Sequence, residues 1–283
     1  MEKFDSSNVL ITGSSGMVSS YIDFGIKASR EAFDILDHEA VMAFVQKHRP
    51  STIIHLAAAT DTNRCEEDPE YAYQVNSVGT LNIALAAESV GAVLVYVSTS
   101  RVFSGDKIGP YTENEIPDPK TIYGKSKYLG EVITSLTTKE HIIVRGCWIF
   151  GGGPEHDNKF FGNVLKQLGN DTIRALGDVS GSPTYAKDFV GGIKTLLEEG
   201  RRGIFHVSNS GPVTRADIVE YILQSTKSKT QLEIVDRSFF KGGDLLPSNE
   251  SISSEKIKLR SWKEAISEYM KSEWHFETVP DKS

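Results

Sequence analysis

The sequence predicts an α/β protein: a doubly wound parallel sheet with helices on both faces, followed by a smaller C-terminal lobe. Two observations carry this. Short β-branched runs alternate with helix-period segments from the N-terminus onward, and parallel strands buried on both faces require such crossovers. After Phe150 the texture changes to "GGGPEHDNKFFGN" and "LGDVSGSPTYAKD", rich in Gly, Pro and Asn like loops around a ligand.

In chain order, "NVLIT" (8–12) reads as the first strand, followed by a weak one at 24–28 and stronger runs at 51–57, 92–98 and 142–146. A return strand is expected at 203–208. Helical periodicity covers 38–48, 69–91 and 123–137. Asp37 stands where it would cap the first of these, and Gly91 stands where the second should end, because glycine adopts the left-handed closing conformation. Residues 1–150 therefore read as a dinucleotide-binding domain and 151–283 mainly as a substrate lobe. A chain of 283 residues can bury a core of that size.

The charge balance, 31 basic against 38 acidic residues, gives a formal −7, and the longest basic run is Arg201–Arg202. Nucleic acid and anionic membrane are excluded as expected partners. The two cysteines, Cys65 and Cys147, read as free thiols of a reducing cytoplasm. There is no apolar signal core and no apolar run of membrane-spanning length, so a soluble cytoplasmic protein is expected.

The segment "TGSSGMVSS" (12–20) follows the first strand directly. Gly13 and Gly16 allow a tight turn and a close approach of a pyrophosphate to free N–H groups, with Ser15 and Met17 beside it. Ser19 stands where a third glycine would ease helix packing. A GxxG turn alone is as well a plain loop. The first helix is short: Phe24 comes eight residues after Gly16, leaving at most about 12 Å. At the end of the 51–57 strand, Ala57, Ala58 and Ala59 leave room for a flat ligand, although they could equally begin a helix. His55 reads as a core histidine. Arg30 is placed to meet a ribose 2′-phosphate, which favours NADP over NAD. Asp34, with Ile35 and Leu36 after it, competes with Asp37 for the adenine and ribose, Asp37 being equally placed as the helix cap.

Tyr123 and Lys127 lie four apart in "TIYGKSKYLGE", on one face of a helix, so phenol and ammonium can reach a common point. Such a pair is usually a half-buried Tyr beside a solvated Lys, and context decides. Thr99 closes the preceding strand in "VSTSRVFSG", 24 residues upstream of Tyr123.

Taken in order, "LITGSSG", "HRPSTIIHLAAAT", "VNSVGT", "STSRVFSG", "PDPKTIYGKSKYLGE", "RGCWIFGGG", "DNKFF" and "GSPTYAKD" resemble the extended short-chain dehydrogenase/reductase superfamily over nearly the whole chain. Within it they look most like dTDP-4-dehydrorhamnose reductases. The resemblance implies a Rossmann-like fold, NADPH (with NAD possible) as cofactor and a nucleotide-sugar substrate. It also implies reduction of the 4-keto group of a 4-keto-6-deoxy sugar, no metal, and a possible homodimer. By the same resemblance Tyr123 is the general acid, Lys127 lowers its pKa from about 10 and holds the nicotinamide ribose, and Thr99 polarises the carbonyl. Ser98 and Asn76 support the cofactor side. Ser100, Arg101 and Val102 face the substrate, with Trp148 flanking the sugar and Asn158 and Phe160 holding the nucleotide.

The chain departs from the family at Ser100 and Arg101, where an acid and an aromatic are usual, and at Leu246, where an arginine is usual. Arg101 is thereby available for a carboxylate or phosphate of the substrate. Two other readings use the same scaffold: a nucleotide-sugar epimerase or dehydratase, and a non-catalytic dinucleotide-binding partner like the β subunit of methionine adenosyltransferase. Dehydratases place acids beside the active Thr, against Ser100 and Arg101; the intact Thr99, Tyr123 and Lys127 favour catalysis.

Overall fold

Residues Val9–Thr12 are buried on both faces and form β1, as a central parallel strand requires. In this computed structural model, which describes residues 4–243 and 246–277, β1 is followed by the single-turn helix α1 (Met17–Ser20) and the short strand β2 (Ile26–Ala28). Helix α2 (His38–His48) starts at Asp37, whose carboxylate accepts from the Ala40 N–H. After β3 (Thr52–His55) come α3 (Thr62–Glu67) and α4 (Pro69–Tyr73), then a π turn at Gln74–Val78 and α5 (Gly79–Val90). The helix expected over 69–91 is thus two helices joined by a wider turn, ending at Gly91 with φ 70°. Strand β4 (Val93–Thr99), helix α6 (Ile122–Thr137) and strand β5 (His141–Gly146) complete the first half.

The second half contains β6 (Ile149–Phe150), α7 (Gly153–His156), α8 (Phe160–Lys166), β7 (Thr172–Leu176), β8 (Ser180–Gly181) and β9 (Thr184–Tyr185). It continues through α9 (Ala186–Glu198), β10 (Gly203–His206), β11 (Val213–Thr214), α10 (Arg215–Thr226), β12 (Gln231–Val235) and α11 (Trp262–Glu273).

The main sheet runs β10-β5-β4-β3-β1-β2 with every neighbouring pair parallel. The chain leaves β1 toward β2 on one side and returns to β3 on the other, so the strand order reverses at β1/β3. The carboxyl ends there open a crevice, the usual ligand site of an open α/β sheet. Alternation along β1 sorts its side chains between two layers. Val9 and Ile11 pack with Phe189, Ile193 and Leu196 of α9, while Leu10 packs with Val41 and Val45 of α2 and Ile83, Ala84 and Ala87 of α5.

A third core joins α8, β7, α10 and α11 through Phe161, Ile173, Ile218, Ile266 and Tyr269. It is separate from the sheet layers. Beyond residue 150, β10 is the return strand expected at 203–208 and joins the main sheet, and α9 packs against that sheet. Among the described residues no helix is long and apolar enough to cross a membrane.

Candidate active site

The crevice at β1/β3 is the floor of a cleft of about 980 Å³ that runs from the glycine turn to the end of β4. Gly13 has φ +69°, and a Cβ on it would lie 2.6 Å from the Ala57 nitrogen. The turn therefore needs glycine both for its backbone conformation and for its fit against the exit of β3. Gly16 caps α1, and Gly13, Ser15, Gly16 and Met17 all line the cleft. So do Ala57 and Ala58. Ala59 does not: it is buried with Cys65 and Ala72, which corrects its expected place at the cofactor.

Asn76 is also displaced from its expected role. It is buried beneath the cleft, where its Oδ1 accepts from the Ala59 N–H (2.8 Å) and its Nδ2 donates to the Ala59 carbonyl (3.1 Å) and to Ser126 Oγ (3.0 Å). With the whole amide consumed, Asn76 fastens the segment after β3 to α6 instead of touching a ligand. His55 is the core histidine expected. Its Nδ1 shares a proton with Thr12 Oγ1 at 2.7 Å, and burial holds its pKa down at about 3.

Tyr123 and Thr99 meet because α6 starts unusually close to β4. A Cβ on Gly124 would fall 2.2 Å from the Arg101 carbonyl oxygen, and one on Gly130 would fall 2.2 Å from the Tyr96 phenol oxygen. Two glycines six apart on α6 thus let the helix lie directly on the strand and its following turn. Thr121 caps the helix by accepting from the Gly124 N–H. In the first turn Tyr123 lines the same cleft as Thr99. Burial raises the phenol's pKa; the Thr99 hydroxyl beside it and the positive charge of Arg101 oppose the rise. Lys127 was expected to lower the phenol's pKa; in the structure the pKa is raised instead, and the positive charge that opposes the rise comes from Arg101.

Lys127 lies one turn on. Its ammonium sits 4.3 Å from the centroid of the Tyr96 ring, and Tyr96 donates to the Lys127 carbonyl at 3.1 Å. Burial lowers the ammonium's pKa to about 7, against the opposing charge of Glu131. Glu131 itself is held by Arg145 in a buried pair at 2.7 Å.

Arg101 follows Thr99 by two residues and donates from Nε and Nη2 to Glu250 at 2.9 and 3.3 Å. The carboxylate expected to meet Arg101 thus comes from the chain itself. The 249–252 segment is pinned by the Glu250 N–H to the Ser180 carbonyl (2.8 Å) and by Asn249 Nδ2 to the carbonyls of Lys107 and Gly109.

Ser98 and Ser100 line the cleft, and Ser98 Oγ is buried with no partner among the described residues. Val102 does not line it; it is buried with Phe103, Tyr111, Cys147 and Ile252. Cys147 and Cys65 are buried free thiols, pushed up to about 12 and about 11 by desolvation.

Trp148 lines the cleft with φ 43°, a backbone conformation uncommon for a bulky residue. Gly181 leaves it room, since a Cβ there would lie 2.4 Å from the indole. Asn158 lines the cleft while its Oδ1 accepts from Lys166 Nζ at 2.8 Å. Phe160 is turned away from the cleft and packs into the C-terminal core and against Arg215.

At the far end, Arg30, Asp34, Ile35 and Leu36 line the cleft as expected. Arg30 pairs with Asp34 at 2.9 Å, but its side chain remains 84% exposed. The Asp34 carboxyl is held below its ordinary pKa by the Leu36 N–H and by Arg30. Sequence reasoning missed Phe33, Glu250 and Lys159, which also line the cleft. Phe33 lay next to a predicted site residue and so could have been found. Glu250 could not, because it lies 149 residues from its partner Arg101.

The sequence model of the family described as RmlD substrate binding domain matches residues 7–274. A spore coat polysaccharide biosynthesis protein of Bacillus subtilis is 32% identical over 276 residues, covering 93% of this chain and 96% of that protein. A dTDP-4-dehydrorhamnose reductase of Mycolicibacterium smegmatis is 33% identical over 221 residues, covering 74% of this chain and 66% of that protein. The crystal structure of dTDP-4-dehydrorhamnose reductase from Bacillus anthracis in complex with NADP superposes with a TM-score of 0.88 at 29% identity, covering 94% of this chain and 99% of that one. The family match over residues 7–274 shows that the chain belongs to the RmlD substrate binding domain family.

Proposed function

We propose that the protein is an NADPH-dependent reductase acting on the 4-keto group of a nucleotide-activated 4-keto-6-deoxy sugar, as dTDP-4-dehydrorhamnose reductases do. One observation carries the reading. Thr99, Tyr123 and Lys127 share one cleft with a glycine turn that only an unsubstituted backbone could form.

The residues present suit a dinucleotide. The missing Cβ at Gly13 and the uncommitted Ser98 hydroxyl leave backbone and side-chain donors on the cleft wall. Gly13, Ser15 and Gly16 would hold its pyrophosphate, Arg30 and Asp34 its adenosine end, and Lys127 its nicotinamide ribose. Bound there, the nicotinamide supplies a hydride to the sugar carbon. Tyr123 supplies the proton to the oxygen, and Thr99 aligns the phenol and polarises the carbonyl. As the phenolate forms, Arg101 stabilises it across the turn after β4. Lys127, one helical turn away, is poised to return the proton because burial brings its own pKa to about 7.

The Arg30–Asp34 pair is exposed, and such pairs contribute about 0–1 kcal/mol, so a 2′-phosphate can compete for the guanidinium. A dehydratase needs a free acid beside the active Thr. Glu250 approaches that position, but Arg101 holds both of its oxygens.

Incubating the protein with NADPH and dTDP-, UDP-, GDP- and CDP-linked 4-keto-6-deoxy sugars tests the reading by absorbance of the reduced nicotinamide. Loss of that absorbance with one sugar supports it. A sugar product formed without NADPH loss would make the protein an epimerase, and binding without turnover would make it a non-catalytic partner.

A further inference from the structure

A second cavity of about 220 Å³ adjoins the cleft, and Thr62 and Arg101 line both spaces. Three cations face this cavity, Arg101, Arg215 and Lys241, against the carboxylate of Glu66. Three of these four groups are already engaged. Arg101 is held by Glu250, Lys241 pairs with Glu67 at 3.2 Å, and Glu66 accepts from the Tyr123 N–H at 3.3 Å.

Arg215 differs. Among the described residues no carboxylate pairs with it, and its Nε is buried without an acceptor. The guanidinium carbon lies 5.3 Å from the ring centroids of both Trp148 and Phe160. These rings flank it while Arg215 lines the cavity, so the guanidinium is placed to meet a ligand there. Burial holds its pKa below the ordinary value; Glu250 opposes that shift and Arg101 adds to it. A desolvated guanidinium without a counter-charge is unfavourable until an anion reaches it, and the fork geometry suits a phosphate bidentately. The cofactor's pyrophosphate belongs at the Gly13–Gly16 turn, at the other end of the cleft, and Arg215 does not line that cleft.

We propose that Arg215 anchors the diphosphate bridge of a nucleoside-diphosphate-linked substrate in the smaller cavity, with the sugar passing Thr62 and Arg101 to reach Tyr123. The position of the sugar rests on the reductase reading; the anion site does not.

Calorimetric titration with thymidine 5′-diphosphate and with thymidine tests this on the full chain. The wild type is expected to bind the diphosphate, and Arg215→Met to bind it about 10- to 100-fold more weakly, while thymidine and NADPH bind both proteins alike. Without ligand, Arg215→Met should melt at or above the wild type, because it removes an uncompensated buried charge. Arg215→Lys keeps the charge but not the fork and should fall between the two; if Arg215→Met does not fold, this variant carries the test.

The proposal is overturned if the wild type does not bind the diphosphate, or if Arg215→Met, or Arg215→Lys in its place, binds it as the wild type does. It is also overturned if the diphosphate and thymidine weaken in equal proportion. Absence of turnover on every nucleotide sugar, with diphosphate binding still lost in Arg215→Met, would sink the reductase reading and leave this site standing. Normal turnover with an unchanged KM for the sugar in Arg215→Met would do the reverse.

Discussion

Gly130 of α6 faces the Tyr96 phenol so closely that a Cβ would fall 2.2 Å from its oxygen. The same phenol donates to the Lys127 carbonyl at 3.1 Å, and Tyr96 is fully buried. The contact sets how deeply α6 sits on the sheet.

Gly130→Ala is therefore expected to force α6 away from β4. Overpacking of this kind costs about 1–3 kcal/mol, readable as a lower denaturant midpoint. Because Tyr123 and Lys127 move with the helix, kcat should fall as well. A variant with unchanged stability and kcat would show that the approach of helix to strand is not under constraint.

Lys127 makes stability depend on pH in a definite direction. Its pKa is about 7 in the folded chain, against about 10.4 for a free lysine. Between these values the unfolded chain binds more protons, so folding weakens as pH falls through that window and levels off below about 7. In the ligand-free protein Lys127→Met should accordingly melt higher than wild type, with a gap that widens from pH 10 to pH 7. A gap independent of pH would mean that the ammonium is not desolvated as the structure shows.

The Arg101–Glu250 pair should be sensitive to one-sided removal. Glu250→Gln leaves a buried guanidinium without its counter-charge, a change that costs about 3–5 kcal/mol for buried pairs. Glu250 also raises the Tyr123 pKa, so in the surviving enzyme the basic limb of the kcat profile should move to lower pH. A movement to higher pH would contradict the placement of the two charges.

Arg30→Ala is expected to weaken NADPH more than NADH while leaving stability nearly unchanged, because the Arg30–Asp34 pair is exposed. Equal losses for the two cofactors, measured by fluorescence titration, would remove the case for 2′-phosphate recognition.

Local chemistry explains what could be read ahead of the structure. The strands expected at 8–12, 51–57, 92–98, 142–146 and 203–208 carry β-branched runs, and all appear within a few residues of those limits. The π turn at Gln74–Val78 was hidden because the apolar period continues through it. Helix α3 was hidden because "DTNRCEE" reads as loop, although Asp61 caps it. Thr99, Tyr123 and Lys127 were legible because strand end and helix start are near neighbours in sequence. Asn76, Val102 and Phe160 were assigned to the cleft by resemblance and Ala59 by its small side chain at a strand end, and packing turned each elsewhere: one amide was fully consumed and three side chains were drawn into apolar clusters. Glu250 and Arg215 carried no local signal, since only the tertiary fold brings them beside Arg101 and Trp148.

Comparing Tyr123→Phe with wild type in a single turnover, with NADPH affinity measured in parallel, addresses the centre of the account. Loss of the proton donor should slow the reduction by about 10²- to 10⁴-fold and leave NADPH binding unchanged, because the ribose contact is proposed for Lys127. Reduction at the wild-type rate in Tyr123→Phe would contradict it.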